Sequence, residues 1–323
     1  MSHPAAADTH PPTYAVGIQG GPFASADALR THARLVEALG YRELFTADHF
    51  GLPGTTGSGM MAIDPFLPLL IATEATTGLR VGPLVLNNEF YNPALLARTV
   101  ATADRLTGGR LVLGVGTGYA EAEHDAIGSP IRPPGPRVSR LSESLEVLRA
   151  LLDTGTLAFE GDHESIKVED LGVAPLQRPV PFLIGGFGRR VVKLAAKHAD
   201  IFQFTGLTHG PDGTPSAGGF SLVQVATRGE WLREAAGERY SQIELSALVQ
   251  LTAIGGDTPS VDELSSRFGL NGAELDDSPF VMVGSVEQVV DKIERLREVI
   301  GVTHYVVRDP EGFAPVLDAL SKA

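Results

Sequence analysis

The chain has 323 residues, 43% of them hydrophobic and none of them cysteine, which excludes disulfides, thiolate nucleophiles, cysteine-ligated zinc and iron–sulfur clusters. Its 26 basic residues against 39 acidic ones give a formal charge of −13, with no Lys/Arg-rich block, so a nucleic-acid partner is not expected. No window reaches the roughly 18 apolar residues of a membrane span, and residues 1–12 (MSHPAAADTHPP) lack the regions of a signal peptide.

We therefore expect a disordered arm over residues 1–12, followed by one domain over 13–323 of a soluble, cytoplasmic protein with no membrane partner. From Tyr14 onward, short β-branched apolar runs alternate with stretches of helical period. YAVGI (14–18) precedes a helix near 26–39, ELFTA (43–47) one near 64–75, LRVGPLVLN (79–87) one near 93–105, and RLVLGVG (110–116) one near 137–152. PVPFLIGG (179–186) then feeds a helix near 188–198, DIFQFTG (200–206) one near 220–237, IELSALVQLTA (243–253) one near 285–299, and THYVVR (303–308) a terminal one near 311–321.

Eight strand–helix units in a chain longer than the roughly 250 residues of a minimal barrel predict a (β/α)8 TIM barrel with insertions after strands 4, 6 and 7. Residues 156–168 alternate like a hairpin around Gly161-Asp162, and 252–284 hold SVDELSSRF, which reads as one short helix. A doubly wound open sheet is the competing architecture.

In a barrel, chemistry gathers where strands end and helices begin. After strand 2, Asp48-His49-Phe50 precedes the Gly/Ser/Thr-rich GLPGTTGSG (51–59), an ionisable pair beside a lid-like loop, with Asp48 suited to orient or polarise His49. After strand 3, Asn92-Pro93 marks a helix start, leaving Asn87 and Asn88 at the strand mouth for amide hydrogen bonds to a ligand. After strand 4, Gly114, Gly116 and Gly118 run on into Tyr119, Glu121, Glu123 and His124. They do not match the G-x-G-x-x-G dinucleotide turn, because the sixth position is Tyr119 or Glu121. Glu121 and His124 are i,i+3 neighbours, a spacing that metals use; with no matching second cluster we read a charged helix start and no metal site. After strand 5, IGGFGRR (184–190) places glycines and Arg189-Arg190 at a helix amino terminus, which favours a phosphate or carboxylate.

TADHF (46–50), VGPLVLNNEFYNPALLAR (81–98), DRLTGGRLVLGVGTGYAEAEHDAIG (104–128), PPGPRVSRLSESLEVLRALL (133–152), VPFLIGGFGRRVVKLAAKHADIF (180–202) and FVMVGSVEQVVDKI (280–293) follow one another in this order. Together they resemble the bacterial luciferase-like superfamily of (β/α)8 oxidoreductases, in the branch that uses the deazaflavin coenzyme F-420. The resemblance implies a tricyclic ring across the barrel mouth. Asp48 and His49 match the Asp-His beside that ring, Leu84-Val85 a non-proline cis peptide against its back, and Asn87 a position facing its pyrimidine edge. Gly116, Thr117, Gly118 and Tyr119 match the strand 4 mouth that lines the cofactor, and Gly185, Gly186, Phe187 and Gly188 the loop that holds its phosphate, with Arg189 adding charge.

The implied reaction is hydride transfer between C5 of the deazaflavin and a small organic substrate, with His49 moving a proton, Asp48 tuning it and Tyr119 beside them. The sugar-phosphate dehydrogenases of the family carry Glu where this chain has Tyr119, and Trp where it has Pro53, so their substrate does not carry over. Loops 51–62, 207–220 and 254–280 would read the substrate, and their composition does not identify it. The alternative is an FMN-dependent monooxygenase that uses O2 and reduced flavin from a separate cofactor reductase; a decayed, inactive barrel is the third reading. The resemblance also implies a homodimer through the helices near strands 2 and 3.

Overall fold

Runs of β-branched and aromatic residues become parallel strands buried on both faces, the signature of a sheet wrapped by helices. The structure is a computed structural model that describes residues 14–21, 24–51, 63–209, 215–256 and 258–322; the expected amino-terminal arm, residues 52–59 of the expected lid loop and the rest of the substrate-reading loop to residue 62 lie outside them. The strands are β1 (Ala15–Gln19), β2 (Glu43–Thr46), β3 (Arg80–Pro83, resuming at Leu86–Asn87), β4 (Leu113–Gly116), β5 (Phe182–Gly186), β6 (Ile201–Phe204), β7 (Glu244–Leu248) and β8 (His304–Val307). Their spatial order is β3-β2-β1-β8-β7-β6-β5-β4, and β4 also pairs with the second half of β3. A further parallel bridge, Val81 to Leu111, closes the ring, so the molecule is an α/β barrel and not an open sheet.

The wrapping helices are α1 (Ala26–Ala38), α2 (Leu67–Glu74), α3 (Pro93–Leu106), α4 (Pro134–Thr154), α5 (Arg189–His198), α6 (Leu222–Ala236), α7 (Val286–Ile300) and α8 (Pro310–Lys322). α3 starts where its sequence says it should: the Asn92 side chain accepts from the backbone N–H groups of Ala94 and Leu95, and Pro93 occupies the first turn. α4 begins inside the PPGP run, since proline is tolerated in a first turn where no intrahelical donor is needed. Most buried apolar side chains lie between sheet and helices; a smaller cluster of Phe45, Leu84, Val112, Leu183, Ile201 and Val306 fills the barrel itself.

The 243–253 run is not one strand. The backbone N–H groups of Gln250 and Leu251 turn to the Phe280 carbonyl, at 2.8 and 3.2 Å, so Leu251–Ile254 leaves the barrel and pairs in parallel with Val281–Gly284. Two short helices, Val261–Phe268 and Gly272–Asp277, lie between them, each started by a capping box. The buried Lys292 ammonium donates to the Leu275 and Val281 carbonyls, tying this excursion to α7. Leu157–Glu160 and Ser165–Val168 form an antiparallel hairpin, with the Glu143 carboxylate of α4 accepting from the N–H groups of Asp162, His163 and Glu164.

Candidate active site at the barrel mouth

The carboxyl end of β2 delivers Asp48 and His49 to the mouth, and the two side chains take different partners. One Asp48 oxygen accepts from the Asn87 backbone N–H at 2.8 Å, the other from the Tyr91 hydroxyl at 3.2 Å. The orienting bond to His49 comes instead from Glu123, whose Oε1 lies 2.6 Å from His49 Nδ1. Asp48 therefore does not hold the imidazole, as its place next to His49 in the sequence suggested. With Nδ1–H donating to the carboxylate, Nε2 is the ring nitrogen left to exchange a proton.

Glu123 sits on a short helix, Glu121–Ala126, whose phase buries Glu123 and His124 and leaves Glu121 exposed. Sequence reasoning on i,i+3 spacing paired Glu121 with His124 and passed over Glu123. His124 does structural work: its Nδ1 donates to the Ser129 carbonyl at 3.0 Å, and its Nε2 then accepts from the Asn87 amide nitrogen at 2.9 Å. The Asn87 amide oxygen accepts from the Glu89 N–H, so this side chain ties the turn after β3 to the short helix and braces the mouth. Among the described residues no three His, Asp or Glu side chains gather as metal ligands.

Tyr119 stands with its ring edge-on to His49, centroids 5.9 Å apart. Burial, helped by the Glu123 charge and opposed by Arg308, pushes its phenol up to about 12, so it stays protonated at neutral pH. Burial likewise pushes the Asp48 carboxyl up to about 6, against its hydrogen bonds from Asn87 and Tyr91 and the nearby His49. Because the folded state binds this proton more tightly than the unfolded chain, the stability it contributes is full below the ordinary value of 3.8 and is lost as pH rises through about 6. Chemical denaturation of wild type and Asp48→Asn should show the wild type losing stability relative to the variant between those two pH values. A constant difference would mean that Asp48 titrates normally.

Below these groups, the Leu84-Val85 peptide is cis and Val85 rises at the centre of the mouth, with glycines on both sides. A Cβ on Gly116 would lie 2.7 Å from Val85 Cγ2, and one on Gly185 would lie 3.9 Å from Val85 Cγ1, so Gly116 and Gly185 flank a shallow cradle over Val85. Gln19 Nε2 donates to the Leu84 carbonyl at 2.8 Å, and Arg308 Nε donates to Gln19 Oε1 at 3.1 Å, which fixes the cradle from beneath. Neither Gln19 nor Arg308 carries a sequence signal beyond its place at a strand end.

At the end of β5, Gly186-Phe187-Gly188 leads into α5, whose amino terminus has no side-chain cap, and a Cβ on Gly188 would meet nothing within 4 Å. Backbone N–H groups are thus open to an anion there. Arg189 turns elsewhere: its guanidinium lies 5.6 Å over the Trp231 ring and 3.6 Å from the Glu234 carboxylate on α6. The buried cation nearest this loop in the fold is Arg228, stacked 4.7 Å over Phe187 and donating to the Thr205 and Gly219 carbonyls. It has no carboxylate partner among the described residues; burial lowers its pKa to about 10 and leaves it charged at neutral pH.

Residues 2–217 match the profile of the luciferase-like monooxygenase family. Over 179 residues the chain is 32% identical to an F420-dependent glucose-6-phosphate dehydrogenase of Intrasporangium calvum, covering 54% of this chain and 52% of that protein. It is 31% identical over 183 residues to an uncharacterized protein of Mycobacterium tuberculosis, covering 52% and 64%. The chain thus spans less than two thirds of the length of these curated relatives. Among solved structures, an F420-dependent secondary alcohol dehydrogenase superposes with a TM-score of 0.73 at 20% identity, covering 95% of this chain and 99% of that one. EDTA monooxygenase from Chelativorans sp. BNC1 superposes at 0.75 with 16% identity, covering 96% and 93%. At such identities the structural likeness is one of fold.

Proposed function

Because the chain belongs to the luciferase-like monooxygenase family, we propose that it is a deazaflavin-dependent oxidoreductase acting on a small organic substrate held at the barrel mouth. The observation that carries this reading is the His49–Glu123 contact of 2.6 Å at the rim of the Val85 cradle, a proton-moving pair beside a surface shaped for a flat ring. The residues present fit such a cofactor: Gly116 and Gly185 leave the space over Val85 open, and the uncapped start of α5 offers donors to a phosphate. When bound, the deazaflavin coenzyme F-420 supplies a hydride donor or acceptor at C5.

The chain's own part is to position and to move a proton. His49 Nε2 gives a proton to, or takes one from, the substrate oxygen, while the Glu123 carboxylate holds the ring through Nδ1. Tyr119, protonated and next to His49, is placed to hydrogen-bond the same substrate oxygen. A homodimer through the outer faces of α2 and α3 belongs to the same proposal, supported by the exposure of Leu67, Leu95 and Leu106.

The second reading, an FMN-dependent monooxygenase fed with reduced flavin by a separate reductase, is supported by the name of the family itself. Titrating the protein with each cofactor separates the two. The deazaflavin is expected to bind and to be turned over with a substrate found by metabolite screening; sub-micromolar binding of FMN with none of the deazaflavin would overturn the first reading.

A further inference from the structure

At the other end of the barrel, beneath the amino ends of β5 and β6, lies an open cavity of about 510 Å3 that the mouth chemistry does not use. It is lined by four cations, Arg149, Arg178, Lys197 and Arg239, against two carboxylates, Asp153 and Asp200. In a chain of net charge −13, a surplus of cations gathered in one concavity calls for a counter-charge.

Two of the guanidinium groups are held in place before any ligand arrives. Arg149 lies 3.8 Å over the Phe182 ring and donates to the Val180 and His198 carbonyls. Arg239 donates to the Ala196 and Ala199 carbonyls. Both approach the single Asp200 carboxylate, at 3.4 and 3.8 Å, and one Asp200 oxygen is already taken by the Phe182 N–H at 2.8 Å. One acid therefore offsets only part of two fixed positive charges. Arg178 is exposed at the rim and has no carboxylate within ion-pair distance among the described residues, while Lys197 pairs with Glu146 at 2.7 Å.

We propose that this cavity binds a small phosphate-bearing anion. The guanidinium groups come from three separate elements, α4, the segment before β5 and the turn after α6, and so approach from three sides. A tetrahedral phosphate presents acceptor oxygens in as many directions, whereas a planar carboxylate satisfies one guanidinium fork. The volume is that of a metabolite-sized site.

His198, which also lines the cavity, is buried with its Nε2 unbonded, and supplies a reporter. Burial, Lys197 and then Arg149 and Arg239 push its imidazole down to about 4, against the opposing charge of Glu146. An anion seated among those cations offsets them and raises the His198 titration midpoint.

The test uses inorganic pyrophosphate as probe, by calorimetry at low ionic strength with the histidine ring resonances followed by NMR. One saturable site is expected, with His198 resonances shifting on binding and its midpoint moving upward. Arg178→Glu, at an exposed position with no ion-pair partner among the described residues, should weaken pyrophosphate at least tenfold while leaving cofactor binding at the mouth unchanged. Absence of saturable binding, or binding that neither moves His198 nor responds to Arg178→Glu, would overturn the site. Citrate binding as tightly as pyrophosphate would overturn its assignment to phosphate.

Discussion

His49→Ala is expected to lower turnover by about 100-fold or more, the ordinary worth of a positioned proton-transfer group, while cofactor affinity stays close to that of the wild type. The reason lies in the geometry: His49 reaches the mouth through Nε2, its Nδ1 being fixed at 2.6 Å from Glu123, and none of its contacts builds the cradle around Val85. Glu123 is a positioning residue in the same unit. Glu123→Gln keeps an oxygen for the Nδ1–H but removes the charge, so it should cost kcat less than Glu123→Ala, which leaves the ring unheld. KM and cofactor affinity should move little in either variant. The measurement is steady-state kinetics with a screened substrate; wild-type turnover in His49→Ala would remove His49 from the chemistry.

The barrel was legible because parallel strands buried on both faces are continuous apolar runs, as in RLVLGVG and IFQF, and because each is followed by a helix with its own start signal. The place of the site followed from the strand ends. What stayed hidden depended on helix phase and on contacts distant in sequence. In AEAEHD, three acids and a histidine are equivalent as text; only the phase of a six-residue helix decides that Glu123 turns inward and Glu121 outward. Arg228, in TRGEW, has the look of a surface arginine and is buried because the Thr205 and Gly219 carbonyls receive it. The helix start beside Arg189 points to a phosphate ligand, yet Trp231 and Glu234 on the next helix draw its guanidinium aside, leaving backbone donors at that start. The pairing of Leu251–Ile254 with Val281–Gly284 joins segments separated by two helices, which no local pattern announces.

Gly114→Ala is expected to destabilise the fold by about 3–5 kcal/mol, or to prevent folding, and the cause is a seam between two strands. A Cβ on Gly114 would stand 2.1 Å from the Pro83 carbonyl oxygen, and a Cβ on Gly82 of the facing strand 2.0 Å from the Val112 carbonyl oxygen. These are backbone atoms of β3 and β4, where the ring closes through Val81 and Leu111, so no side-chain rotation relieves the overlap. Gly188→Ala is the informative comparison. Its φ of −77° suits alanine and a Cβ there meets nothing within 4 Å, so stability should change by no more than about 0.5 kcal/mol. If the start of α5 receives the cofactor phosphate, the same methyl group occupies the approach to it, and affinity for the phosphorylated cofactor should fall more than affinity for its dephosphorylated form. Thermal and chemical denaturation of the two variants, with cofactor titrations of Gly188→Ala, assign one glycine to the closure of the barrel and the other to its ligand; wild-type stability in Gly114→Ala would contradict the tight seam between β3 and β4.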